Sequence, residues 1–149
     1  MTPLNLPKYN FKLKEESNKV FIFDFIRKKY LQLTPEEWVR QNFIQYLIEV
    51  KGYPKSMFSI EKGITVSNTQ KRVDIAIFNK DRGIEVLVEC KAPEVKITQK
   101  AFDQIARYNL TLNAKYLVVT NGLNHFYALI DHENKKYIFL KDLPTYTSK

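Results

Sequence analysis

The chain has 149 residues, 44% of them hydrophobic and 13% aromatic, and its 24 Lys and Arg against 16 Asp and Glu leave a formal net charge of +8. A chain of this length can bury about two-thirds of its unfolded surface, so one domain over 1–149 is expected, and the apolar content excludes a disordered tail. No apolar run approaches the ~20 residues of a membrane helix, and the N-terminus lacks the regions of a signal peptide, which predicts a cytoplasmic protein with no membrane partner.

Residues 1–18 are rich in Pro and charge, show no period, and read as an arm lying on the domain or partly mobile, ahead of a core over about 20–140. The run VFIFDF (20–25) predicts a strand leading into a basic turn of Arg27, Lys28 and Lys29. Thr34, Pro35 and Glu37 form a capping box that starts a helix over about 35–50, with Leu33 and Trp38 as a hydrophobic staple. Val39, Phe43, Leu47 and Val50 continue it until Gly52 and Pro54.

RVDIAIF (72–78) and IEVLVECK (84–91) flank turn formers and predict a β-hairpin. Thr98 caps a second helix over about 99–113, KYLVVT (115–120) reads as a buried strand, and 124–130 and 136–140 read as a terminal pair of strands. The fold class that follows is α/β, a mixed central β-sheet flanked by helices.

Several chemistries are excluded. The single cysteine, Cys90, rules out an internal disulfide and a zinc site of paired thiolates. The four isolated glycines make no P-loop, and His125 and His132 read as surface residues because their spacing suits neither a helical metal pair nor a triad. The basic excess favours a polyanion as partner.

Pairing hairpin residues whose numbers sum to 163 sets Val73 against Cys90, Ile75 against Val88 and Ile77 against Val86 on an apolar face. Asp74 then lies opposite Glu89 on the other face, and Lys91, two residues on, shares that face. Carboxylates this close repel unless one is protonated or a cation sits between them, and Mg²⁺, a hard ion that retains water, is the natural candidate. The plainer reading is a solvated hairpin carrying a surface salt bridge. The Cys90 thiol is expected to face the core and to be inert.

Asp74 followed by Glu89-Cys90-Lys91 resembles the PD-(D/E)XK nuclease superfamily, with its restriction-endonuclease-like core. TPEEWVRQ (34–41), YLIEVKGYP (46–54), RVDIAIF, VECKAP (88–93), FDQIARYN (102–109) and TNG (120–122) extend the likeness to the N-terminal nuclease domain of type I restriction enzyme R subunits, over about 20–130. The resemblance implies Asp74, Glu89 and the Cys90 backbone carbonyl as ligands of Mg²⁺ or Mn²⁺, and Lys91 assisting the attacking water. It also implies a helix-borne glutamate as a further ligand. Glu36 is favoured for sharing an inward stripe with Val39, Phe43 and Leu47, while Glu37 is the reserve because it has a cap to reach back to.

Gln104 and Tyr108, four apart on the second helix, match a Gln-x-x-x-Tyr motif of some of these nucleases and become candidates for DNA contact or site bracing. Lys71, Arg72 and Arg107 are candidate phosphate contacts. R subunits carry an ATP-driven motor that this sequence does not encode, so translocation is not carried over. The expected function is metal-dependent hydrolysis of DNA, as a homodimer or within a larger restriction or repair assembly. A non-catalytic nucleic-acid-binding or assembly module is the alternative, and RNA or a small phosphodiester is an open substrate class.

Overall fold

Thr34 begins the first helix as its side chain dictates: Oγ1 accepts the Glu37 amide at 3.0 Å, Pro35 takes the first helical position, and the helix, α1, runs Pro35–Glu49. The computed structural model describes residues 1–61, 63–66 and 69–147, the stretches 63–66 and 69–71 by backbone alone. Within α1, Val39, Phe43 and Leu47 are fully buried.

Three short strands precede α1: β1 (Leu13–Glu16), β2 (Lys19–Asp24) and β3 (Lys29–Gln32), paired antiparallel in that order. The expected arm over 1–18 is therefore corrected in part, since Leu13–Glu16 within it is a strand. The turn that creates it is Ser17-Asn18, where φ is +52° and +63°, the left-handed pair that a two-residue hairpin uses. Ahead of β1 the chain does lie on the domain: the Asn5 amide donates to the Gly122 carbonyl at 2.8 Å, and Trp38 Nε1 donates to the Thr2 carbonyl at 2.9 Å.

After α1 come β4 (Phe58–Ile60), a small hairpin of β5 (Gly63–Val66) and β6 (Thr69–Arg72), then β7 (Ile75–Phe78) and β8 (Ile84–Cys90). Helix α2 (Gln99–Asn109) leads through a 3₁₀ turn over Leu110–Leu112 to β9 (Tyr116–Thr120), β10 (His125–Asp131) and β11 (Lys136–Leu140). The main sheet has the order β11-β10-β9-β8-β7-β4, with β8 and β9 parallel and the other pairs antiparallel. A parallel neighbour needs a crossover, and α2 supplies it.

The hairpin register is the one its apolar pattern requires, with Ile75 opposite Val88 and Ile77 opposite Val86. Its faces differ from expectation. One packs with α1, where Ile75, Ile77, Val86, Val88 and Cys90 meet Val39, Phe43 and Leu47. The other is not charged but equally apolar: Ala76 and Leu87 are buried with Phe102 and Ala106 of α2. A sheet covered on both faces leaves polar groups only at its strand ends. The expected strand over 72–78 is also divided, because Arg72 ends β6 and Asp74 sits at a bend before β7. Val73 accordingly packs in the α2 cluster and not beside Cys90.

Gly122 has φ +85°, and a Cβ there would come 2.7 Å from Leu4 Cδ2 and 3.1 Å from Val39 Cγ2. Backbone strain and overpacking add, so Gly122→Ala is expected to lower the unfolding free energy by about 1–3 kcal/mol, measured by urea denaturation.

Candidate active site

Asp74 is held at the bend by two donors. The Cys90 amide donates to its Oδ2 at 2.8 Å, and Arg40 Nη2 donates to Oδ1 at 2.9 Å. Glu89 is the second-last residue of β8, and Lys91 follows the strand end, its own amide bound to the Thr120 carbonyl at 2.8 Å and its Nζ 3.5 Å from Glu89 Oε2. β7, β8 and β9 thus bring the expected acid pair and amine to one end of the sheet.

Electrostatics mark the same place. Burial first and the Asp74 charge second push the Glu89 carboxyl up to about 7, against the opposing pull of Lys91. Glu36 is raised in the same direction, by burial and then by Asp74, while Arg40 and Lys91 oppose. The three carboxyls therefore share one field, and the Lys91 ammonium does not offset it.

Glu36 and Glu37 exchange the surroundings expected of them. The buried side of α1 begins at Glu37 and continues through Arg40, Ile44 and Leu47, whereas Glu36, about 100° round the helix from Glu37, is an exposed rim residue. Glu37 turns inward to accept from Gln41 Nε2 at 2.8 Å and to contact Arg40, so its carboxylate is committed to the interior and not to the cap.

Arg40 was not singled out by sequence, although Glu36, Glu37, Arg40 and Gln41 stand at the spacings that let helical side chains meet. It is 4% exposed and surrounded by acids: Glu37, Glu61 at 2.8 Å, Asp74 at 2.9 Å and Glu36 at 3.2 Å. This company raises its pKa in spite of burial. A second arginine extends the network, with Arg27 Nε 2.7 Å from Asp24 Oδ2 and its other nitrogens 3.5 Å from Glu37 and 3.8 Å from Glu61.

The remaining candidates lie elsewhere or are otherwise employed. Arg72 is exposed but paired to Glu61 at 2.7 Å, and the Lys71 side chain lies outside the described residues. Gln104, Arg107 and Tyr108 are on the exposed side of α2, whose buried residues are Phe102, Ala106 and Asn109. The Cys90 thiol is buried in the core, where burial pushes its pKa up. The histidines are not free surface residues: His125 bridges Thr120 Oγ1 at 2.7 Å and the Asn5 carbonyl at 2.9 Å, and His132 meets the Ala114 carbonyl at 2.7 Å.

Among the described residues no group of three or more His, Cys, Asp or Glu side chains is placed to hold a metal ion. What fits here is an open oxygen site. Two neighbouring carboxylates, the Glu89 group raised to about 7 by burial and by Asp74, are oxygen donors of the kind a hard divalent ion that keeps several waters takes.

Residues 35–144 match the family model of the type I restriction enzyme R protein N terminus. The chain belongs to this family. It is also similar in fold to a fragment structure from Vibrio vulnificus YJ016 described as an HsdR subunit of a type I restriction enzyme. The TM-score is 0.53 at 20% identity, over 76% of this chain and 24% of that one, so this R-protein N-terminal region spans about a quarter of the solved chain. No curated protein sequence matches it. Among the described residues no helix is long and apolar enough to cross a membrane.

The raised Glu89 carboxyl has a defined consequence for the metal-free protein. A folded-state pKa above the unfolded value gives stability that is complete below about 4.5 and lost as pH rises through about 7. The melting temperature of the wild type is therefore expected to fall relative to Glu89→Gln between those values, measured in EDTA. Arg40→Met leaves Glu37 and Asp74 without their buried partner and is expected to cost about 3–5 kcal/mol in urea denaturation.

Proposed function

We propose that this R-protein N-terminal domain is a metal-dependent nuclease with a restriction-endonuclease-like core, hydrolysing DNA phosphodiester bonds at the Asp74–Glu89–Lys91 strand ends. The observation that carries the reading is the under-neutralised acid pair beside an ammonium, with Glu89 raised to about 7. Groups so perturbed cluster where chemistry is done.

Asp74, Glu89 and the Cys90 carbonyl are the ligands proposed for Mg²⁺, or Mn²⁺ in its place, with Glu36 reaching in from the rim. When bound, that ion supplies a more acidic water and offsets charge on the scissile phosphate. The chain does the rest. Arg40 and the Cys90 amide fix the two oxygens of Asp74, so the carboxylate presents one orientation. The Lys91 ammonium, beside Glu89, orients the attacking water and stabilises negative charge gathering on the phosphate oxygens. Water adds to phosphorus, the P–O bond to the leaving sugar breaks, and a proton passes to that oxygen.

Gln104, Tyr108, Arg107, Lys71 and Arg72 are proposed to track the DNA, Arg72 by exchanging Glu61 for phosphate. The assembly proposed is a restriction enzyme, the motor being supplied by polypeptide outside these residues; a pair of copies would cut both strands.

A second reading is favoured by one contact. Arg40 already pairs with both Asp74 and Glu36, which is how a non-catalytic DNA-binding or assembly module would neutralise its acids. Cleavage of plasmid and linear DNA with Mg²⁺ or Mn²⁺ separates the two. Asp74→Ala and Lys91→Ala are each expected to slow cleavage by about 100-fold or more while melting as cooperatively as the wild type. Equal rates in all three proteins would reject the nuclease.

A further inference from the structure

The strands β1, β2 and β3 lie before residue 35, ahead of the segment that matches the family, and among the described residues the rings on one face of their sheet lie outside both hydrophobic core clusters. The inward face carries Ile22 and Asp24, both fully buried. The outward face is read from the register. Lys14 is opposite Phe21, which is opposite Gln32; Phe23 is opposite Tyr30, and Lys12 adjoins Phe23, its carbonyl accepting the Phe23 amide at 2.9 Å.

The outward residues alternate rings and amines. Phe23 packs edge-on against both Tyr30 and Phe25, each at 5.1 Å between centroids. Lys14 Nζ stands 4.4 Å over the Tyr30 ring, Lys12 5.5 Å over Phe23, and Lys55, from the turn after α1, 6.0 Å over Phe25. Tyr30 is 37% exposed, and among the described residues none of Phe21, Phe23, Phe25 and Tyr30 belongs to either hydrophobic core cluster. Against Lys12, Lys14, Lys19 and Lys55 the face sets one acid, Glu16, 3.5 Å from Lys14.

We propose that this face binds single-stranded DNA. Tyr30 is exposed and Phe21, Phe23 and Phe25 are half-buried beside it; such rings stack on bases only when the bases are unpaired, and lysines that hover over rings in the free protein can turn to the phosphates as bases take their place. A duplex offers the phosphates but keeps its base faces inside the stack. The platform is also fastened to the candidate active site. Asp24, on the reverse of β2, accepts from Arg27 and from Gln41, Gln41 donates to Glu37, and Glu37 meets the same Arg40 that holds Asp74. A strand lying on the rings is thus held by a body continuous with the acids.

The inference deepens the nucleic-acid reading above, and binding is measured without cleavage so that either can fail alone. Fluorescence anisotropy in EDTA would compare a labelled oligothymidine, an abasic strand with the same number of phosphates, and a duplex of equal length. The oligothymidine is expected to bind about tenfold more tightly than the abasic strand. Tyr30→Ala should remove most of that difference, and Lys12→Ala with Lys14→Ala should weaken both strands and flatten the salt dependence. Equal affinity for the oligothymidine and the abasic strand, or preference for the duplex, overturns the proposal, and neither comparison needs a variant to fold. If single strands bind as expected but Mg²⁺ produces no cleavage, the nuclease reading fails and the platform stands.

Discussion

A guanidinium withdrawn from water must be surrounded by acids, and the position of Arg40 settles much of this molecule. Desolvating a charge costs several kcal/mol unless partners compensate, so Glu37, Glu61, Asp74 and Glu36 cannot be placed independently of it. They come from α1, from the end of β4 and from the bend before β7. One side chain therefore sets how the helix sits over the sheet, and it does so where the acidic pair must be oriented. Asp74 faces its neighbours with one oxygen held by the helix and the other by the strand.

The strand ends are polar for a separate reason. With α1 and α2 covering opposite faces, every side chain in the middle of β7 and β8 is apolar, from Ile75 to Ile77 and from Val86 to Val88. Polar side chains then lie at the strand ends, Asn79 and Glu85 at one end and the acid pair at the other. Asp74, Glu89 and Lys91 occupy the latter end, and the parallel neighbour β9 braces the last of them through the Lys91 amide. Burial that raises Glu89 and backbone bonds that fix Asp74 have the same origin in this packing.

What was legible in the sequence was local and periodic. Thr34 and Thr98 announced their helices by capping chemistry, and the summed register of the hairpin followed from matching Ile75 with Val88 and Ile77 with Val86. The second apolar face was not legible, because Ala76 and Leu87, partners across the hairpin, are buried only by α2, a contact distant in sequence. Glu36 and Glu37 were exchanged because capping rules weigh the backbone donor and not the arginine one turn away. Of the N-terminal sheet the strand over 20–25 was legible as β2, but β1 escaped since Ser17-Asn18 lacks the glycine that usually marks a left-handed turn.

Charge is divided in space in a way that a single net figure conceals. The chain carries +8 overall, yet at the strand ends burial and then the Asp74 charge push the Glu89 carboxyl up to about 7. A bare phosphate approaching Glu89 meets repulsion, while the lysines on β1 and β2 and around the N-terminal sheet attract it. In the function proposed above, capture of a polyanion and entry of its phosphate to the acids would be different events, at different surfaces, joined by the Asp24–Arg27 and Glu37–Arg40 ion pairs. On that proposal, neutralising the acids would change the second event and leave the first intact, so that binding and turnover would respond to different residues.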